Sequence, residues 1–348
     1  MPVTKRFFSF SLLFFWIAFA ASAQDPVAKG IDEFHRGQYA AAKITLERAL
    51  KQKPNDPHAR TFLALVRAAT GGCHSVRNDL TEAFTANKDS ELRRLAGLAL
   101  VQCDLAANRF NAATPVIEEL ERQFPADADV LYEAQKLYMK AWNDVVLRMF
   151  QKTPSSYRVN QVSAEIFEIE GKYAEAVAEY RKAIQKNPGA LNLHFRLGRA
   201  LLLESHSPSA LSAARKEFEA ELKLNPSDAA AEYEIGQILL AENKPGEAAP
   251  HIERAVAQSP DFPEALIALA KLRASAKHYD EAIRLLERAI HLAPANESAH
   301  YNLMLAYRNA GRTADASREK AEVDKLRRPP EGEFTEFLKR LGEKAPKQ

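Results

Sequence analysis

The stretch from Pro263 to Asn296 has the pattern of two short amphipathic helices joined by a turn. Apolar residues recur at every third or fourth position on both sides of the turn, which is helical spacing. Proline fits the first turn of a helix, and Pro294 ends the second helix because proline cannot donate a backbone hydrogen bond. Helices this short must bury their apolar faces against a neighbour to be stable. The apolar positions are Leu266, Leu269, Ala270 and Leu272, then Ile283, Leu286, Ala289 and Ile290.

The same pattern recurs in phase along most of the chain. Terminating prolines stand at Pro188, Pro226, Pro260 and Pro294, which by subtraction are 38, 34 and 34 residues apart. Recurrence of one helical unit at a nearly constant spacing predicts a repeat architecture. The turns and the small residues that follow them are Gly37-Gln-Tyr39 with Ala42, Asn108-Arg-Phe110 with Ala113, Gly171-Lys-Tyr173 with Ala176, and Lys277-His-Tyr279 with Ala282.

Self-similarity near 34 residues with this signature resembles the tetratricopeptide repeat. The resemblance covers nearly the whole chain after residue 23. It implies an all-α fold, a right-handed α-solenoid of about nine stacked helix–turn–helix repeats.

The repeat pattern suggests five segments. Residues 128–156 depart from it, because bulky residues such as Trp142 and Phe150 replace the small ones. We interpret this segment as a divergent helical pair or as a boundary between two halves of the chain. Near the end, Phe334, Phe337 and Leu338 share one helical face, which predicts a helix that covers the last repeat or, alternatively, docks on another protein. The segments are a signal peptide (1–23), N-terminal repeats (24–127), a divergent helical pair (128–156), C-terminal repeats (157–330), and a capping helix with a tail (331–348).

The first 23 residues have the three parts of a secretory signal peptide. Lys5-Arg6 precede an apolar stretch from Phe7 to about Ala20, and Ala21-Ser22-Ala23 supply the small residues of a cleavage site. The apolar stretch is short of the roughly 20 residues of a membrane span, although an uncleaved anchor is an alternative. We therefore expect a bacterial protein that is periplasmic or secreted, with no membrane span after cleavage.

Charge and composition add little to this picture. The 48 Lys and Arg nearly balance the 46 Asp and Glu, for a formal net charge of +2. A near-neutral chain does not favour nucleic acid or an anionic membrane surface as its partner.

Two cysteines and nine histidines are the remaining candidates for chemistry. In an exported protein an even cysteine count favours a disulfide, here between Cys73 and Cys103, and two small buried residues are the alternative. The histidines form no metal-binding or catalytic motif, and no phosphate-binding loop or nucleophile elbow is present. We expect no cofactor, no metal and no enzymatic activity.

The resemblance to the tetratricopeptide repeat implies that the first helix of each repeat lines a groove that holds a peptide or a partner helix. The candidate groove residues are Phe195, Arg199, Tyr233, Gln237, Ile267, Lys271, Tyr301, Leu305 and Arg308. One version of the family clamps a terminal carboxylate, but Glu165 stands where a clamp would have asparagine and would repel that ligand.

The sequence thus predicts a non-catalytic interaction scaffold, or peptide-binding module, of the bacterial periplasm or cell envelope. Its partner is a protein or peptide that the sequence does not identify. The alternative is a helper subunit that recruits substrate to an envelope enzyme or to an export or assembly complex.

Overall fold

The computed structural model describes residues 25–328, and within that range it contains seventeen α-helices and no strand. The chain divides into two compact units, unit 1 up to Arg148 and unit 2 from Met149 onward. The expected signal peptide and the expected capping helix lie outside the described residues.

Unit 1 contains three helix pairs and most of one long helix. Consecutive helices from α1 to α6 pack against each other, and α3 also contacts α1 and α5. The helices are α1 Pro26–His35, α2 Tyr39–Gln52, α3 Pro57–Ala69, α4 Cys73–Ala86, α5 Ser90–Ala106, α6 Phe110–Gln123 and α7 Ala128–Lys152.

Unit 2 contains five helix pairs in the same arrangement. The helices are α8 Tyr157–Ile169, α9 Tyr173–Lys186, α10 Leu193–Glu204, α11 Pro208–Leu224, α12 Ala229–Ala241, α13 Pro245–Gln258, α14 Pro263–Ser275, α15 Tyr279–Leu292, α16 Glu297–Asn309 and α17 Thr313–Leu326. Both units therefore have the all-α, stacked-pair fold expected of an α-solenoid.

Local sequence explains where the helices begin and turn. The first helix of a pair often starts after a capping side chain, as where Asp228 accepts a hydrogen bond from the Ala231 amide at 2.9 Å. Most of the turns within a pair contain one residue with positive φ, usually glycine or asparagine, such as Gly171 at 71°. Lys277 also has a positive φ, 67°, although it is neither glycine nor asparagine. In this conformation the Cβ lies too close to the following carbonyl oxygen, which costs about 1 kcal/mol.

Close approach of the two helices in a pair depends on a small residue in the first and a large one in the second. A Cβ added at Gly198 would lie 2.7 Å from Cε1 of Phe218, and one at Gly236 would lie 2.5 Å from Cγ1 of Ile252. Both of these large side chains are fully buried. The small residues of the first helix and the large residues of the second are therefore the positions at which the two helices contact each other.

Helix α10 begins without a side-chain cap of its own. Asn192, which precedes it, is in the left-handed conformation. Its backbone N–H donates a hydrogen bond to Glu221 Oε1 at 2.8 Å. The Phe195 amide donates to the other carboxylate oxygen at 3.3 Å. Glu221 comes from α11 and is completely buried, so its charge is stabilised at the positive end of α10.

The divergent helical pair expected at 128–156 is instead one helix, α7, of 25 residues. The prediction of a pair was wrong because residues 128–152 contain neither glycine nor proline, so nothing interrupts the helix until Pro154. The division between units 1 and 2 falls within this helix.

Candidate functional site

The first helices of the five pairs in unit 2 are α8, α10, α12, α14 and α16. All nine predicted groove residues lie on the last four of these helices. We call the surface that these five helices form the first-helix face. An ion pair links α8 to α10, from Glu165 Oε1 to an Arg196 terminal nitrogen at 3.2 Å. Tyr233 of α12 packs on Phe262, just before α14, with ring centroids 4.9 Å apart.

A cavity of about 170 Å³ on this face joins four of the predicted residues. Tyr233 and Gln237 come from α12, and Ile267 and Lys271 come from α14. Ile267 is only 7% exposed, so it forms part of the cavity floor and offers little surface of its own. Burial and the charges of Glu234 and Glu264 raise the pKa of Tyr233 to about 12, so its hydroxyl is a neutral donor at physiological pH. The lining combines the Tyr233 ring with polar side chains that include Gln237, Glu264 and Lys271.

A second cavity, of about 260 Å³, lies between α14 and α16. It contains Lys271 and the predicted Leu305, together with Ser275, Asn302 and Asn309. Its lining includes no acidic residue. Lys271 therefore stands between two adjoining cavities and faces both.

The other predicted residues line neither cavity. Phe195 is half-buried, and its ring packs on Phe218 with centroids 5.5 Å apart, so packing explains it. Tyr301 is 41% exposed, with the Arg327 guanidinium 5.9 Å from its ring centroid. Arg199 and Arg308 are exposed side chains on α10 and α16.

Two half-buried glutamates that we did not single out from the sequence, Glu168 and Glu234, stand on either side of Arg199. Burial raises the pKa of both carboxyls, and in each case the Arg199 charge partly lowers it again. Among residues 25–328, none of these three side chains has an ion-pair partner within 4.0 Å. The face therefore carries two carboxylates and one guanidinium that are near each other but not paired.

Beneath this cluster lies Tyr180 of α9, which is completely buried. Its hydroxyl faces Glu168 and Arg196, yet it makes no hydrogen bond within 3.5 Å to another described residue. Burial, with the nearby Glu168 charge, raises the pKa of Tyr180 to about 12. A buried hydroxyl without a hydrogen-bond partner is destabilising. The signal in the sequence was a tyrosine at a position where the neighbouring pairs have Phe218 and Ile252.

Unit 1 has a cavity of its own, of about 250 Å³, which the sequence analysis missed. It lies among the first helices, and its walls are mainly apolar. The signal was the run of aliphatic residues on α3 and α5. The lining includes Phe34, Tyr39, Leu65, Leu95, Leu98 and Tyr132, with Gln102, Asp129 and Glu133 among its polar members.

The predicted cysteine pair lies in unit 1. Cys73 is the first residue of α4 and Cys103 lies in α5, with Cα atoms 5.4 Å apart and the two sulfur atoms joined. That Cα separation is normal for a disulfide. Oxidation of the pair in the native protein stays a prediction.

Residues 25–328 include no group of three or more His, Cys, Asp or Glu side chains that could hold a metal ion. In the same range, no helix has the length and hydropathy needed to cross a membrane.

Comparison with known families gives one consistent description. Two family models, each described as tetratricopeptide repeat, match the chain, one over 27–88, 170–213 and 211–263, the other over 239–289 and 273–327. Together they cover residues 27–88 and 170–327, more than half of the chain.

A curated protein of Drosophila melanogaster, the BBSome complex member BBS4 homolog, is 28% identical over 170 residues. The match covers 46% of this chain and 34% of that protein, so the chain spans about a third of the length of the curated relative it matches.

Solved structures of similar fold include MamA from Desulfovibrio magneticus, with 20% identity and a TM-score of 0.43 over 49% of this chain and 94% of that chain. YrrB, described as a TPR protein with an unusual peptide-binding site, has 18% identity and a TM-score of 0.43 over 52% of this chain and 92% of that chain. At these values neither structure supports a statement about the site in this chain.

Proposed function

This chain belongs to the tetratricopeptide repeat proteins, and from that premise we propose that it is a non-catalytic scaffold whose first-helix face holds a segment of a partner protein. Proteins built from this repeat bind proteins or peptides. Here the observation that carries the proposal is the Tyr233–Lys271 cavity, which continues into the Leu305 cavity across α12, α14 and α16.

Two properties of the face suit an extended or helical protein segment. The Tyr233 ring beside polar side chains offers an anchoring contact and groups that fix orientation, as in peptide-recognition grooves. The face is also built on helices packed to their neighbours, so little ordering would be needed on binding. The curated relative is, by its name, a member of a complex, which is the same kind of role.

We further propose that the protein is exported and works in a bacterial periplasm or cell envelope. The support is the sequence of residues 1–23, with its basic start, apolar middle and small residues before the cut. Cell fractionation and N-terminal sequencing test this. We expect an envelope or extracellular protein that begins at Gln24, whereas cytoplasmic protein that begins at Met1 would contradict the proposal.

Affinity capture from an envelope fraction tests the binding function. We expect a stoichiometric partner that is lost with Tyr233→Ala. The matched control is Tyr173→Ala, which removes the same residue type from the second helix α9.

Because Tyr233 packs on Phe262, replacing it also removes a packing contact. A second variant therefore tests binding without that loss of packing. Lys271 is exposed and lines both cavities, so Lys271→Ala should weaken capture without changing the thermal midpoint. If both face variants and the control capture the same partner equally well, the first-helix face is not the binding surface. A recovered partner with a catalytic motif would indicate the helper-subunit role.

A further inference from the structure

The cluster around Arg199 has one more negative than positive charge available to a ligand. Glu165 is already neutralised, because Arg196 pairs with it at 3.2 Å and the Gln161 amide donates to it at 2.9 Å. That leaves the carboxylates of Glu168 and Glu234 against the single guanidinium of Arg199.

Among residues 25–328, Glu168, Glu234 and Arg199 form no ion pair within 4.0 Å. Arg199 is exposed, and its side chain can turn toward solvent. The two carboxylates are half-buried and therefore partly desolvated, which makes an added positive charge favourable. The completely buried hydroxyl of Tyr180, which has no partner within 3.5 Å among the described residues, faces Glu168 from below.

We propose that this cluster selects a lysine or arginine of the partner segment, whose cationic head lies over α10 between Glu168 and Glu234. Glutamate oxygens accept charge-assisted hydrogen bonds from ammonium or guanidinium donors. Tyr180 supports the Glu168 carboxylate from the interior, and Arg199 moves outward as the incoming cation arrives. This inference rests on the proposed binding function and adds a chemical preference to it.

The neighbouring cavities extend the recognition. Tyr233 lies between the cluster and Lys271. Burial and the nearby charges of Glu234 and Glu264 raise the pKa of its hydroxyl. A segment along the face would thus place a basic residue over α10 and an apolar residue beside Tyr233. The expected signature is a basic residue at a constant distance in sequence from an aliphatic or aromatic one.

The experiment uses the purified mature chain and a phage-displayed library of random short peptides. Selected peptides are then synthesised, and their affinities are measured by fluorescence anisotropy. We expect enriched peptides to share one lysine or arginine, and replacement of that residue by glutamine to weaken binding about 10- to 100-fold.

Variants of the protein assign the preference to the cluster. Glu168→Gln/Glu234→Gln should weaken binding by a similar factor and abolish the difference between the basic and the glutamine peptide. Glu175→Gln/Glu247→Gln makes the same change of net charge at exposed positions on α9 and α13 and should leave the difference intact.

The outcomes separate this inference from the proposed function. Peptides that bind through Lys271 but carry an acidic or neutral residue would overturn the inference and leave the proposed function standing. A preference for basic peptides that survives Glu168→Gln/Glu234→Gln would also overturn it. If no peptide is enriched, or binding ignores every variant of the face, both the inference and the proposed function fail.

Discussion

The close contact of Gly198 with Phe218 gives the most direct prediction about how each helix pair is held together. A Cβ at residue 198 would lie 2.7, 2.9 and 3.0 Å from three atoms of the Phe218 ring, all at or inside the shortest contacts that side chains make. The ring is stiff and completely buried, and Phe195 packs on it. Gly198→Ala must therefore move the ring or separate α10 from α11.

The size of the effect follows from two opposing contributions. Overpacking a buried contact costs about 1–3 kcal/mol, while replacing a helical glycine by alanine contributes about 1 kcal/mol of helix stability. We expect Gly198→Ala to destabilise unit 2 by up to about 2 kcal/mol. Urea unfolding followed by circular dichroism measures this as a lower midpoint.

A matched substitution separates the two contributions. Gly246 is also helical, but nothing lies within 4 Å of a Cβ built there, so Gly246→Ala should be neutral or stabilising. Phe218→Leu should cost less in the Gly198→Ala background than alone, because the smaller side chain leaves room for the new methyl group. If Gly198→Ala raises the midpoint as Gly246→Ala does, the ring does not set the helix spacing.

Three further predictions concern single groups. Reduction of the Cys73–Cys103 bridge, or Cys103→Ser, should destabilise unit 1 by about 3–4 kcal/mol, because the bond closes a loop with a sequence separation of 30; free, alkylated cysteines in protein from its native compartment would contradict the disulfide. Glu221→Ala should destabilise unit 2 by about 2–3 kcal/mol, since two amides at the start of α10 lose their acceptor, and an unchanged unfolding midpoint would refute that role. Glu234→Gln should raise the midpoint at pH 7, because burial raises the pKa of Glu234 and disfavours its ionised form in the folded state. That gain should shrink as the pH falls through the ordinary carboxyl pKa of about 4.3, below which folded and unfolded states are both protonated, and a lower midpoint at pH 7 would contradict it.

Much of the fold could be predicted because the residues that begin, end and turn the helices lie within each repeat. Prolines such as Pro263 and Pro294, and glycines such as Gly171, mark helix ends and turns within a few residues of where they act. Small residues in phase mark helix contacts. Residues 128–152 contain neither glycine nor proline, and the predicted helix pair proved to be one helix for that reason.

The site could be predicted only in part, because its groups come together from different repeats. Tyr233 and Lys271 were found from their places within single helices. The relation of Glu168 to Arg199 and Glu234 depends on the register of three first helices, which no single repeat encodes. Ile267 was predicted to offer a groove surface from its residue type and position. Its side chain is instead almost entirely buried by packing.

The central claim is that a partner segment lies on the first-helix face of unit 2, and site-specific photocrosslinking in cells tests it most directly. A photoreactive amino acid replaces Gln237, which lines the Tyr233–Lys271 cavity, or, as the control, Arg181, which is exposed on the second helix α9. We predict one discrete adduct of constant mass from position 237 and none from position 181. No adduct at 237, or the same adduct from both positions, would contradict the claim.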